Sequence, residues 1–180
     1  LFPDDTINGR ALILGEAPGP HGDLVSIDVT PPTLAALRAA GVDVVDIGCV
    51  PTPVTYFAAF ELDCHSCVSV TGSHNPPDYN GFKIVVGGET LSGDAITDLH
   101  ARIAEDRLHR AESPGGLSER DIGDDYVDRI AGDVQTERRL KVVVDAGNGM
   151  AGLTAPTVFE RIGADRVELV EMYFELDGTF

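Results

Sequence analysis

The chain has 180 residues, 43% of them hydrophobic, and a formal net charge of −17 at pH 7. A chain of this length forms one large domain or one and a half ordinary ones and buries a real core. Its negative charge excludes nucleic acid and anionic membranes as expected partners. No apolar run reaches about 18 residues, and the acidic start lacks a secretory signal, so we expect a cytoplasmic protein without a membrane span.

The first half of the chain alternates predicted helices and strands. Proline at the start and glycine at the end predict a helix over 31–41. The apolar stretch that follows predicts a strand over 42–47, and Thr-Pro-Val begins a second helix over 52–60. Two further strands are predicted over 67–70 and 82–86, on either side of a polar loop.

The second half continues the alternation. Helical spacing of apolar residues and apolar runs predict the remaining elements. They are helices over 94–110 and 118–134, a strand over 140–144, a helix near 154–162 and a strand over 167–172.

This alternation predicts an α/β fold, with a mixed sheet flanked by helices followed by a truncated second α/β domain. The first domain is expected over 1–134, of which 1–33 are atypical, and 23–30 are interpreted as a remnant of its first strand. Polar residues 135–139 are the predicted linker. Residues 140–180 are then the start of the second domain.

The loop between the strands at 67–70 and 82–86 is the most informative part of the sequence. Gly72 permits a sharp bend, two prolines stiffen the loop, and Asn80-Gly81 is a strong tight-turn signal. These residues predict that Ser73 is held at the tip of a strand–loop–strand element. A rigid structural turn without chemistry is the alternative interpretation.

A serine becomes a useful nucleophile only with a base beside it or with a phosphoryl group already attached. His74 and Lys83 are the nearby candidates for moving a proton or stabilising phosphate charge. Lys83 is one of only two lysines in the chain, whose other cations are arginines. Asn75 occupies the second glycine position of G-x-S-x-G, so the acyl-transfer signature is absent.

Two other patterns suggest weaker alternatives. Cys64-His65-Ser66-Cys67 is a C-x-x-C sequence, which occurs in redox and metal sites, but it precedes a strand here instead of opening a helix. The glycines of 147–152 have G-x-G-x-x-G spacing, which occurs in dinucleotide sites. Both signals are weak when they stand alone.

The stretch Thr71–Lys83 resembles the phosphoserine loop of the α-D-phosphohexomutases, the phosphomannomutase/phosphoglucomutase family. The resemblance extends to most of the chain from residue 34 onward. Further matching stretches are 41–48, 50–54, 85–91, 141–152 and 175–180. It implies that residues 1–134 correspond to the family's first domain and 140–180 to the start of its second.

The resemblance also implies a chemistry. Ser73 would carry a phosphoryl group and pass it between O1 and O6 of a hexose phosphate through a bisphosphorylated sugar. Lys83 would transfer protons and stabilise charge, and His74 would be a second polar group at the reacting centre. Asn75 and Asn80 would contact a substrate such as glucose or mannose 1- or 6-phosphate. Mg²⁺ would be the cofactor, bound by Ser73 through its phosphate.

The sequence departs from the family in its metal ligands. The aspartate motif D-G-D-[GA]-D-R, which provides the family's magnesium carboxylates, does not occur in these 180 residues. We therefore expect an incomplete and poorly active mutase. A non-catalytic phosphosugar-binding relic or a C-x-x-C redox protein are the alternatives, and the choice of sugar and the oligomeric state stay open.

Overall fold

The structure is a computed structural model that describes residues 10–15, 30–71 and 81–177. The candidate residues Ser73, His74, Asn75 and Asn80 lie outside these described residues. By its contacts the chain divides into two compact units. The described residues up to Arg120 belong to the first unit and those from Asp121 onward to the second.

The first unit contains a six-stranded mixed sheet with three described helices. Its elements are β1 (Arg10–Gly15), α1 (Thr30–Ala39), β2 (Asp43–Cys49), α2 (Thr52–Glu61), β3 (Cys67–Thr71), β4 (Gly81–Val86), β5 (Glu89–Thr90), α3 (Asp94–Ala104) and β6 (Leu117–Glu119). The strand order is β5-β4-β3-β1-β2-β6. The strands β1, β2, β3 and β6 pair in parallel, while β4 and β5 are antiparallel to their neighbours.

The helices α1 and α2 cover opposite faces of this sheet. Val44 and Val70 are buried in a cluster with Leu34 and Leu37 of α1. Val70 lies three positions after Cys67 in β3, so these two side chains point to opposite faces. Cys67 is buried on the α2 side, where α2 buries its own apolar residues. The central strands are thus covered on both sides, as parallel sheets require.

The second unit pairs two parallel strands with two helices. Its elements are α4 (Gly123–Asp133), β7 (Leu140–Asp145), α5 (Ala151–Ile162) and β8 (Val167–Met172). The strands pair in register from Leu140 opposite Val167 to Asp145 opposite Met172. Arg161 of α5 bonds to Asp124 at 3.2 Å and also to Asp128, which ties α5 to α4.

Several predicted boundaries were wrong, for local reasons. The first strand of the sheet is Arg10–Gly15, upstream of the segment 23–30 interpreted as its remnant, and Thr30 already begins α1. The helix predicted over 118–134 begins only at Gly123, because Leu117–Glu119 pair with β2 as β6. The helix predicted over 94–110 ends at Ala104, and Asp106 two residues on has a φ of +51°.

The mixed α/β class predicted from the sequence is confirmed. The assignment of residues 1–134 and 140–180 to two domains stays a prediction. The compact units divide after Arg120, and α4 packs on α5 within the second unit. None of the described helices is both long and apolar enough to cross a membrane.

Candidate active site

The predicted serine loop is anchored by two described strands. β3 ends at Thr71 and β4 begins at Gly81, and these two residues form the last pair of the antiparallel ladder. A Cβ on Gly81 would lie 2.9 Å from the Thr71 carbonyl oxygen, so glycine allows the strands to approach closely here. Ser73 is therefore two residues beyond the carboxyl end of a parallel strand, the edge where open α/β sheets bind ligands.

The helix α2 begins at the same edge of the sheet. It follows β2 directly, and Pro51 is its N-cap residue, without a side-chain hydrogen bond to cap the helix. Proline within the first helical turn favours this start. Because α2 connects β2 to the parallel strand β3, its first turn and the exit of β3 lie at one end of the sheet.

Lys83 is the one predicted catalytic residue that the structure describes. It lies in β4 directly opposite Ser69 of β3, and its side chain is exposed while Ser69 is 3% exposed. Its ammonium has no hydrogen bond or ion pair among the residues that the structure describes. Lys83 thus lies in β4 three residues beyond the end of the serine loop, with no counter-ion among the described residues.

The buried cysteines do not form a reactive centre. Cys64 and Cys67 are not joined in a disulfide, and they are 2% and 1% exposed. Burial, and then the proximity of Cys64, raises the pKa of Cys67 to about 11. A redox thiol needs a lowered pKa and access to solvent, so these observations speak against a C-x-x-C redox function.

Cys64 and Cys67 are also not part of a metal site among the described residues. Within residues 10–15, 30–71 and 81–177, no group of three or more His, Cys, Asp or Glu side chains is placed to hold a metal ion. The described residues therefore do not fit Mg²⁺. Of the predicted ligands, only the phosphate that Ser73 would carry belongs to this chain.

The glycine-rich loop after β7 is filled by the chain itself. A Cβ on Gly152 would lie 2.2 Å from the carbonyl oxygen of Phe174. Asn148 donates its backbone N–H to the Tyr173 carbonyl at 2.7 Å and its side-chain amide to the Glu175 carbonyl at 2.8 Å. The close approach at Gly152 is therefore made by the chain's own backbone, and Asn148 is bonded to the segment that follows β8.

The sequence analysis overlooked one polar residue near this site. The buried side of α2 contains Thr55 beside Val54, Ala58 and Ala59, and Thr55 is fully buried. The spacing of Thr55 from Ala58 and Ala59, three and four residues on, was the signal available in the sequence.

Two protein-family models match this chain. The family model described as phosphoglucomutase/phosphomannomutase, alpha/beta/alpha domain I, matches residues 26–110. The model for alpha/beta/alpha domain II matches residues 124–180. The two models therefore match most of the chain, with a boundary close to the division between the compact units.

Individual relatives agree with these models. A protein of Pseudomonas aeruginosa named phosphomannomutase/phosphoglucomutase is 42% identical over 177 residues, which are 97% of this chain and 37% of that protein. A phosphoglucomutase of Neisseria meningitidis is 42% identical over 141 residues, 78% of this chain and 30% of that protein. The chain thus spans about a third of the length of the curated relatives it matches.

A solved structure of a phosphoglucomutase/phosphomannomutase family protein from Burkholderia thailandensis superimposes with a TM-score of 0.79. It is 43% identical, and the match covers 96% of this chain and 37% of that one. The strand–loop–strand element, the parallel sheet and the two domain models lead to one assignment. The chain belongs to the α-D-phosphohexomutase family and has the fold of its domain I and part of its domain II.

Proposed function

We propose that this chain provides the phosphoryl-carrying serine of a phosphohexomutase, with Ser73 as the carrier. The observation that supports it is the placement of Thr71 and Gly81 as adjacent strand ends at the carboxyl edge of a parallel sheet. Nine residues, 72–80, connect this pair, and Ser73, His74 and Asn75 are among the first of them. The carboxyl edge from which they continue is the edge where such sheets bind ligands. The relatives' names, phosphomannomutase and phosphoglucomutase, point to a hexose phosphate as substrate.

The proposed step is a phosphoryl transfer between two oxygens. A sugar hydroxyl attacks phosphorus, the bond from phosphorus to the Ser73 oxygen breaks, and a bond from phosphorus to the sugar oxygen forms. The proton lost by the sugar hydroxyl is returned to the Ser73 oxygen, with Lys83 as the relay. Lys83 suits this role because it is exposed, without a described counter-ion, and close in sequence to the loop. His74, Asn75 and Asn80 are proposed to contact the phosphosugar.

Mg²⁺ is proposed as the cofactor from the family resemblance alone. It would supply neutralisation of phosphate charge when bound. The described residues provide no cluster for it, so no step of the reaction is assigned to the metal here. The domain assignment of residues 1–134, 135–139 and 140–180 and the cytoplasmic location are proposed on the same sequence grounds.

Mass spectrometry of the chain incubated with glucose 1,6-bisphosphate tests the proposal. We expect one phosphate on the peptide that contains Ser73 and none in Ser73→Ala. Ser92→Ala, which removes an exposed serine of the same unit, should leave the phosphate in place. Phosphate retained by Ser73→Ala, or absent from the unaltered chain, would contradict the proposal. Binding of glucose 1-phosphate without phosphate uptake would indicate a non-catalytic binding module.

The chain offers a matched pair of lysines for the second arm of this experiment. Lys83→Gln should slow phosphate uptake at Ser73 by about 100-fold, the usual contribution of general acid–base catalysis. Lys141→Gln removes the other lysine, which lies in the second unit, and should leave the rate unchanged. Equal rates of phosphate uptake in the two variants would show that Lys83 does not take part in the transfer.

A further inference from the structure

One cavity of the first unit lies away from the serine loop. Its volume is about 190 Å³, and it is lined by residues of α2 together with Cys67 of β3 and Val85 of β4, which pair across the two strands. Cys67 begins β3, whereas the serine loop follows Thr71 at the other end of that strand. Four residues of strand, about 13 Å, separate these two ends. The cavity is therefore not part of the candidate active site.

Aromatic side chains form much of this cavity. It is lined by Tyr56 and Phe60 of α2 and by His65 of the segment before β3. The Phe60 and His65 rings meet edge to face, with their centroids 6.1 Å apart and their planes at 82°. An apolar cavity of about 150 Å³ can hold benzene, so this one has room for a group of similar size, such as a trimethylammonium group. We call this cavity the aromatic pocket.

The imidazole of His65 is held in place at the aromatic pocket. The His65 carbonyl accepts the Gly88 N–H at 2.7 Å, and the ring nitrogen Nε2 donates a hydrogen bond to Asp63 Oδ1 at 2.8 Å. Asp63 and His65 have φ angles of +52° and +53°, in the left-handed region that residues other than glycine adopt at a cost. Backbone strain of this kind recurs at ligand sites, where it pre-organises a side chain.

The surroundings of the aromatic pocket are negatively charged. Its lining residues all belong to segments 52–67 and 84–90, which contain neither lysine nor arginine. The carboxylates of these segments are Glu61, Asp63 and Glu89. The helix α2 ends at Glu61 without a basic residue in its last turn, so the negative end of its dipole also faces this region. Lys83 is two residues from Val85 in β4 but does not line the pocket. These charges favour a cation over an anion.

We propose that the aromatic pocket binds a small organic cation of the alkylammonium class, with Tyr56, Phe60 and His65 around its charged group. Aromatic faces attract cations through the ring quadrupole, and quaternary ammonium ligands are recognised in this way. A metal ion is not the expected ligand, because hard cations take clusters of oxygen ligands and the described residues hold no such cluster. A hexose phosphate is disfavoured by its negative charge. The inference therefore goes beyond the proposed function and does not depend on it.

Choline and 3,3-dimethyl-1-butanol, its neutral analogue with carbon in place of nitrogen, are the probes for this proposal. Each is titrated into the ¹⁵N-labelled chain while the amide signals of the lining residues Phe60, Gly88 and Thr90 are followed by NMR. We expect saturable shifts with choline and a dissociation constant about 5-fold higher for the alcohol, the effect of one exposed cation–π contact. Equal affinities, or no choline-induced shift of these amides, would overturn the proposal.

Phe60→Leu removes one ring of the aromatic pocket and keeps an apolar side chain. Because Phe60 is 68% exposed, we expect this variant to fold. It should bind choline about 5-fold more weakly than the unaltered chain does and should keep its affinity for the alcohol. Phe82→Leu replaces another exposed phenylalanine, which does not line the pocket, and should bind choline unchanged.

A choline affinity that does not fall in Phe60→Leu, or that falls equally in Phe82→Leu, would overturn the proposal. The comparison of choline with its neutral analogue in the unaltered chain needs no variant, so it decides even if Phe60→Leu does not fold. Neither measurement requires phosphate on Ser73, so failure of the proposed function would be seen separately.

Discussion

Two valines in parallel strands, one in each unit, differ greatly in their exposure to solvent. Val44 of β2 is 1% exposed, whereas Val143 of β7 is 58% exposed. In the first unit β2 lies between β1 and β6 and is covered by α1. In the second unit, β7 pairs only with β8 among the described strands, and every second residue of β7 is exposed. An apolar strand is therefore buried by its neighbours and not by its own composition.

The largest predicted loss of stability comes from adding a Cβ at either of two glycines, one in each unit, where backbone atoms already occupy the space. A Cβ at Gly115 would lie 1.9 Å from the Val42 carbonyl oxygen in the first unit, and one at Gly152 would lie 2.2 Å from that of Phe174 in the second. Gly115→Ala should destabilise the chain by about 3 kcal/mol, since backbone atoms must move. Gly152→Ala should cost about 2 kcal/mol, because alanine's helix propensity offsets part of the clash.

Urea unfolding followed by circular dichroism measures these costs. Gly132→Ala is the control, because nothing lies within 4 Å of a Cβ there and the residue is inside α4. That variant should gain up to about 1 kcal/mol in free energy of unfolding. Equal stabilities for all three variants would mean that the close approaches at Gly115 and Gly152 are not rigid.

The pH dependence of the first unit should come from a buried thiol. Burial, and then Cys64, raises the pKa of Cys67 from its ordinary 9.0 to about 11. A pKa raised in the folded state gives stability that is complete below pH 9 and is lost as the pH rises to about 11. Two units of pKa correspond to a loss of about 2 to 3 kcal/mol.

The loss is measured as the difference in free energy of unfolding between pH 8 and pH 11. Cys67→Ala should remove this part of the alkaline loss, although the variant is less stable at every pH. Cys49→Ala, which replaces an exposed cysteine, should keep it. An alkaline loss in Cys67→Ala as large as in the unaltered chain would show that other groups cause it.

The second unit should lose stability at acid pH instead, and this is the smallest of the predicted effects. The pKa of Glu168 is lowered by a hydrogen bond from Lys141, with Nζ 2.7 Å from Oε1, and then by the Lys141 charge. Stability from a lowered pKa is present above the ordinary value of 4.5 and is lost as the pH falls through the folded value. Because the pair is exposed, salt screens it and the effect is slight.

Titration of the Glu168 side-chain carboxyl carbon by NMR checks this expectation. Lys141→Gln should move its midpoint back toward the ordinary value, and 1 M salt should do the same. Glu171→Gln, an exposed substitution in the same strand, is the control and should leave the midpoint unchanged. A midpoint that changes neither in Lys141→Gln nor in 1 M salt would show that Lys141 does not lower the pKa of Glu168.

Much of the fold was predictable because its patterns are local. The helix at 52–60, the strand at 67–70 and the strand at 167–172 match α2, β3 and β8 within a residue or two. Two strands were missed. Arg10–Gly15 contains the apolar run 11–14, which is a local strand signal that the sequence analysis overlooked. Leu117–Glu119 has no such run and is a strand only because β2 pairs with it.

The sequence by itself determined the family, the α/β class and the identity of the loop that carries Ser73, because those depend on residues close together in the chain. Only the tertiary structure decided that Cys64 and Cys67 are buried, that backbone occupies the space beside Gly152, and that Lys83 lies opposite Ser69. Burial, register and the facing of side chains across a sheet are set by residues distant in sequence. No local pattern encodes them.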